Sequence, residues 1–208
     1  MSYAEFPGLD HTVVTAHLDH TGFPQDVLDR YQRLIRDADR ALDDAQVPRD
    51  GRRRWIIPGR IEVLGKHVDY AGGRSLLCTV ERGIVLVAAP RDDRRVVLRD
   101  AKRRESTVVD LDATAAATQA SLPWSIYPRT VVNRLARNFD QQLIGADIAI
   151  SSSLPPAAGV SSSSALVVGL TLALSALSRL PDTERWREQL AMRTALAGYV
   201  GAMENGLD

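Results

Sequence analysis

The sequence predicts an α+β fold in which helices pack on a mixed sheet. Three observations carry this. Apolar residues recur at helical spacing over 25–46, and short β-branched runs fill the middle of the chain. After Pro123 helical spacing returns, interrupted by one strand-like run at 146–151. The order helix, several strands, helix, strand, helix, helix fits helices layered on a sheet better than alternating βα units.

The first 20 residues lack periodicity, and the irregular spacing of His11, His17 and His20 argues against a metal site there. Over 25–46, Val27, Leu28, Tyr31, Leu34, Ile35, Ala38 and Leu42 form one apolar face, with Pro24 at its start and Pro48 past its end. This helix either covers the sheet or meets a partner. The runs 55–57, 76–80, 84–88, 96–98 and 107–111 read as separate strands bounded by Gly, Pro, Asp and Arg. Val131, Val132, Leu135 and Phe139 mark the next helix, and Ile148 and Ile150 the last strand. Two further helices are expected at 162–180 and 183–203. Residues 113–120 are low in complexity and read as a loop, and no internal repeat is present.

At 208 residues the chain can bury one substantial core, or one domain with an appendage. Its 26 basic and 26 acidic residues cancel, so nothing marks the whole chain as a nucleic-acid binder. The basic clusters Arg52-Arg53-Arg54 and Lys102-Arg103-Arg104 are flanked by acids and read as solvated loops. The single cysteine, Cys78, excludes an internal disulfide and a multi-cysteine zinc site. It lies in an apolar run and is expected to be buried. The polar start is unlike a signal peptide, and no run of 18 to 20 apolar residues occurs. The expectation is a cytoplasmic protein with no membrane partner.

The stretch Pro155-Pro156-Ala157-Ala158-Gly159-Val160-Ser161-Ser162-Ser163-Ser164 follows a strand and opens a helix. A helix start offers unpaired N–H groups and partial positive charge, and small residues let a phosphate approach them. Gly159 permits a left-handed turn, and serine hydroxyls can bond phosphate oxygens or Mg²⁺. The chemistry is that of an ATP phosphate cradle. It is not a Walker loop, because no lysine follows the glycine in the required order. The plainer alternative is a Ser-rich cap on a buried helix.

A second stretch, 58–73, packs Arg60, Lys66, His67, Asp69 and Tyr70 among Gly59, Gly65, Gly72 and Gly73. Arg60, His67 and Asp69 are donors and acceptors of the kind a sugar site needs. The plainer alternative is a surface hairpin turning at Gly72-Gly73.

Together the two stretches resemble the first two motifs of the GHMP kinases, specifically galactokinase. The family's G-R-V-N-L-I-G-E-H-T-D-Y-N-G-G is matched from Gly59 to Gly73, and its P-x-x-x-G-L-S-S-S-A from Pro155 to Ser164. The resemblance implies a GHMP-kinase N-terminal domain of the ribosomal-protein-S5-like type over 51–208. Residues 1–50 would form an extension carrying the amphipathic helix. The C-terminal GHMP domain would be absent, leaving the domain cut short at its C-terminal end.

The implied activity is ATP-dependent phosphorylation of a monosaccharide, at the anomeric hydroxyl, with Mg²⁺. By resemblance Arg60 is catalytic and touches the reacting hydroxyl, and Lys66, His67, Asp69, Tyr70 and Gly72 bind or shape the sugar site. Pro155, Gly159, Val160, Ser161, Ser162, Ser163 and Ser164 hold ATP, with Ser162 at the metal.

The family's catalytic aspartate and metal glutamate can be fitted in two ways. One sets Tyr199-Val200-Gly201 on F-V-G, bringing Asp208 to the base and Leu196 to the metal position. The other sets Ala202-Met203-Glu204-Asn205 on A-E-N, making Glu204 the metal carboxylate, with the base beyond Asp208. Lys66 and Glu62 stand where galactokinases have Glu and Asn. Lys66 either meets an anionic group on the sugar or turns to solvent. The competing reading of the whole is a non-catalytic galactokinase-like module that senses sugar or nucleotide. A Ser-rich fold with neither role is the third.

Overall fold

The computed structural model describes residues 22–65, 72–112, 123–139, 142–155 and 158–204. The chain forms α1 (Gln25–Asp44), β1 (Arg53–Leu64), β2 (Leu76–Arg91), β3 (Arg95–Asp100) and β4 (Glu105–Asp110). It continues through α2 (Ile126–Phe139), β5 (Gly145–Ser152), α3 (Ser162–Leu177), α4 (Glu184–Gln189) and α5 (Arg193–Glu204). The sheet order is β1-β2-β5-β3-β4. Only β3 and β5 run parallel; the other neighbours are antiparallel, so the sheet is mixed and the α+β class holds.

Residues alternate across the sheet and so serve two cores. Val85, Val87 and Ala149 meet α1, whose seven apolar positions Val27, Leu28, Tyr31, Leu34, Ile35, Ala38 and Leu42 are all buried. The amphipathic helix therefore covers one face of the sheet. Ile84, Leu86, Ala88, Leu98, Ile148 and Ile150 face the other way, onto a core shared with Val131, Leu135, Leu170, Leu174 and Trp186. Helix α3 settles closely on β2 because residue 169 is glycine. A Cβ there would stand 2.6 Å from Leu86 Cδ1.

Several strand and helix limits differ from the sequence expectation. The runs 76–80 and 84–88 are one strand, and the run beginning at Trp55 continues through Pro58 and Gly59 to Leu64. Pro58 is tolerated because β1 is an edge strand with a register shift beside it. Past Gly83, β2 has left β5 and pairs with β1 alone, so the two strands project as a ribbon. Cys78 lies on that ribbon and is exposed, not buried, as are Ile61, Leu64, Leu76 and Leu77.

The expected helix at 162–180 ends at Leu177, and the one at 183–203 is split in two. Leu190 and Leu196 are both buried. On one straight helix these positions would point about 120° apart; the break at 190–192 turns both inward.

The Arg52-Arg53-Arg54 cluster is not a solvated loop. Arg52 is 1% exposed. Its guanidinium donates to the Pro48, Val47 and Asp39 carbonyls at 3.0, 2.6 and 3.2 Å, and to the Asp39 and Asp43 carboxylates at 3.1 and 2.9 Å. Arg54 reaches the same Asp39, and Arg53 the Ala176 carbonyl. These arginines tie α1 and α3 to the start of β1. Lys102, Arg103 and Arg104 do lie on an exposed turn. No helix among the described residues is long and apolar enough to cross a membrane.

Candidate active site

Among the described residues no strand pairs with the outer edge of β1, so its backbone groups there need another partner. The serine-rich stretch before α3 supplies one. The Arg60 N–H donates to the Val160 carbonyl at 3.2 Å. One residue earlier the approach is closer still. A Cβ on Gly59 would lie 2.5 Å from Leu154 Cδ2, 3.0 Å from the Val160 carbonyl oxygen and 3.2 Å from Val80 Cγ2. Gly59 therefore allows the serine loop to lie against the strand that carries the sugar motif.

The loop then turns sharply into α3. Gly159 has φ +67°, open space where a Cβ would be, and an exposed position. Ser161, the residue before the first turn of α3, sits at φ 55°, ψ 46°. That left-handed conformation costs a serine about 1–3 kcal/mol. Its carbonyl accepts the first helical bond, from the Ala165 N–H at 3.0 Å. Its hydroxyl does not cap the helix. Instead Ser161 Oγ accepts from Arg60 Nε at 3.2 Å. The first-turn amides, which have no intrahelical acceptor by geometry, are left uncapped by that hydroxyl.

Helix α5 completes the site. Its last residue, Glu204, is half-buried, and its Oε1 accepts from Ser163 Oγ at 2.7 Å and Ser164 Oγ at 2.8 Å. A carboxylate at a helix N-terminus is also favoured by the helix dipole. Ser162 is exposed beside these two serines.

The structure thus gathers Arg60, Gly159, Val160, Ser161, Ser162, Ser163, Ser164 and Glu204 around one helix start. Pro155 lies half-buried at the entry to the loop. Gly72 lies at the far end of the ribbon, in a turn at φ +75°. Lys66, His67, Asp69 and Tyr70 lie outside the described residues, as do Asp208 and the three N-terminal histidines. Of the residues on which the two C-terminal fits differ, Leu196 and Glu204 are described and Asp208 is not. Leu196 is buried in the apolar core, while Glu204 reaches the serines. Among the described residues no three His, Cys, Asp or Glu side chains cluster as a metal site.

Two features were missed from the sequence. The packing role of Gly59 had a signal, since a glycine within a strand run often marks a close backbone approach. The hydrogen bond from Asn138 Nδ2 to Tyr199 Oη at 2.9 Å had none, because 61 positions separate the two.

Residues 127–206 match the family model of the GHMP kinases N terminal domain, and residues 51–90 match the galactokinase galactose-binding signature. The galactokinase of Lactococcus lactis, crystallised with galactose, aligns with a TM-score of 0.62 at 24% identity, over 81% of this chain and 42% of that one. The mevalonate kinase of Methanococcus jannaschii aligns with a TM-score of 0.55 at 17% identity, over 76% of this chain and 47% of that one. The chain spans less than half the length of either structure. The fold and the two matched stretches define the class: the chain carries a GHMP-kinase N-terminal domain. Within that class, the galactose-binding signature over β1 and β2 makes it galactokinase-like.

Proposed function

We propose that this chain forms the ATP- and sugar-binding part of a kinase that phosphorylates a monosaccharide or sugar derivative, at the anomeric hydroxyl as in galactokinases. The observation that carries the reading is the direct bonding of the two motifs. Arg60, on the strand with the galactose-binding signature, bonds Val160 and Ser161 of the serine loop. A sugar hydroxyl held by the strand would then lie beside a phosphate held by the loop. Positioning and charge stabilisation dominate phosphoryl transfer, so that adjacency is what the reaction requires.

The donor set fits a magnesium–nucleotide complex. Gly159 leaves room for a phosphate to approach, the first turn of α3 offers amides and hydroxyls, and Glu204 offers a hard oxygen ligand beside Ser162. When bound, Mg-ATP supplies the transferable phosphoryl group and a cation that offsets its charge. Arg60 orients the acceptor hydroxyl and stabilises charge developing between it and the loop. Ser161 holds the guanidinium on that line. His67, Asp69 and Tyr70 bind the sugar hydroxyls, and Lys66 meets an anionic group such as a uronate or phosphate on the sugar.

The full-length protein carrying this chain is incubated with Mg-ATP and a panel of neutral and acidic monosaccharides, with products read by mass spectrometry. A phosphorylated sugar is expected, with acidic sugars preferred and the preference reversed by Lys66→Glu. No phosphorylated sugar from any pool, with nucleotide still bound, would leave the sensor reading in its place. An unchanged preference in the variant would remove the charge assignment alone.

A further inference from the structure

Helix α5 delivers Glu204 to the serines, yet it is thinly anchored. Of its twelve residues only Leu196 and Met203 are fully buried, with Tyr199 and Val200 partly buried against the same core, and the Cβ positions of Gly198 and Gly201 face open space. Apolar packing of this kind is non-directional and resists a small roll less than a hydrogen bond does. On the helix wheel Tyr199 and Glu204 fall on opposite flanks of the line through Leu196 and Met203, about 140° apart. Each is held by a different helix. Glu204 is bonded by Ser163 and Ser164 of α3, and Tyr199 by Asn138 in the last turn of α2. The Arg134 guanidinium, one turn earlier on α2, lies 5.8 Å from the centroid of the Tyr199 ring. Burial raises the Tyr199 phenol above its usual pKa, so it remains a neutral hydrogen-bonding group around neutral pH.

We infer that Asn138, acting through Tyr199, is a positioning residue that fixes the roll of α5 and so sets the Glu204 carboxylate at the phosphate loop. The lever is short. Side-chain tips lie about 5–6 Å from a helix axis, so a roll of about 10° moves them by about 1 Å. A functional carboxylate tolerates about half that displacement. Without the Tyr199 bond, the apolar contacts of Leu196, Val200 and Met203, which have no directional preference, would permit such a roll, and Glu204 would sample positions off the metal line.

The inference rests on the magnesium–nucleotide reading above, and the test separates the two. Thermal stabilisation of the full-length protein by a non-hydrolysable ATP analogue is measured across a Mg²⁺ titration, and again in EDTA. Tyr199→Phe keeps the ring and its packing while removing the hydroxyl; Asn138→Leu removes the donor. Each variant is expected to raise the Mg²⁺ concentration at half-maximal stabilisation about three- to tenfold, as loss of one hydrogen bond implies. The shift in EDTA should stay unchanged. The double variant should be no worse than Tyr199→Phe, since that variant already removes the Asn138 bond.

A lower melting temperature with an unchanged Mg²⁺ midpoint in Tyr199→Phe would show a purely structural bond and overturn the inference. Additive effects in the double variant would overturn it as well. If the unsubstituted protein shows no Mg²⁺-dependent stabilisation, the nucleotide reading itself fails, and the positioning role falls with it.

Discussion

Arg60 Nε donates to Ser161 Oγ at 3.2 Å, joining residues 101 positions apart. Ser161 reaches that position through a left-handed backbone that serine adopts at a cost. The bond orients the guanidinium beside the helix start that would hold phosphate. Lysine could keep the charge but not the planar fork, so the change is not conservative here.

Arg60→Ala is expected to lower kcat about 10²-fold, as loss of a charge-stabilising donor does in other enzymes. Arg60→Lys should recover only part of this, and the KM for nucleotide should move little in either. Steady-state kinetics of the full-length protein checks both. A fall confined to nucleotide KM would count against the assignment.

Gly59→Ala tests the contact between strand and loop. Leu154 Cδ2 can move from a new Cβ, but the Val160 carbonyl is backbone and shifts only with the loop. Overpacking of this kind costs about 1–3 kcal/mol. Urea denaturation should show that loss, and stabilisation by Mg-ATP should fall further than the lower stability explains.

Arg52→Met tests the buried arginine under α1. Removing one member of a buried ionic group costs about 3–5 kcal/mol, because the remaining partners lose theirs. Asp43 is partly exposed and also bonded by Arg49, which places the expectation at the low end, about 3 kcal/mol. The melting temperature should drop while the serine loop, far along β1, keeps its response to nucleotide.

Acid sensitivity follows from two carboxyls. The Arg49 hydrogen bond holds Asp43 below the usual carboxylate range. The Arg91 hydrogen bond brings Asp93 down to about 2. A lowered folded-state pKa means that the unfolded chain takes up protons first as pH falls. Their contribution is therefore complete above the unfolded value near 4 and is lost as pH drops toward about 2. The urea midpoint should be flat from about pH 7 to 5 with respect to these groups and fall below about 4. Arg91→Gln should weaken the acid dependence. The Asp93 side chain is 41% exposed, so its share is small.

Much of the fold was legible because periodicity reports burial directly. The seven apolar positions of α1 were readable at helical spacing, and Ile148 and Ile150 marked β5. Strand limits were less legible. Nothing local says that 76–80 and 84–88 are one strand, since Glu81 and Arg82 look like a break. The arginines at 52–54 misled for a related reason. Charge density reads as solvent exposure, whereas five acceptors from α1 and its following turn take Arg52 out of water.

The sequence by itself determined the two motifs and the residues that could do their chemistry, because residue type and short-range spacing are local properties. It left Asp208 and Glu204 as rival readings of the C-terminal helix. Tertiary structure decided that Glu204 meets Ser163 and Ser164, that Leu196 belongs to the core, and that Arg60 bonds the serine loop. Each of these depends on how α3 and α5 settle against the sheet. That packing is fixed by the summed burial of many distant side chains, which no local stretch encodes.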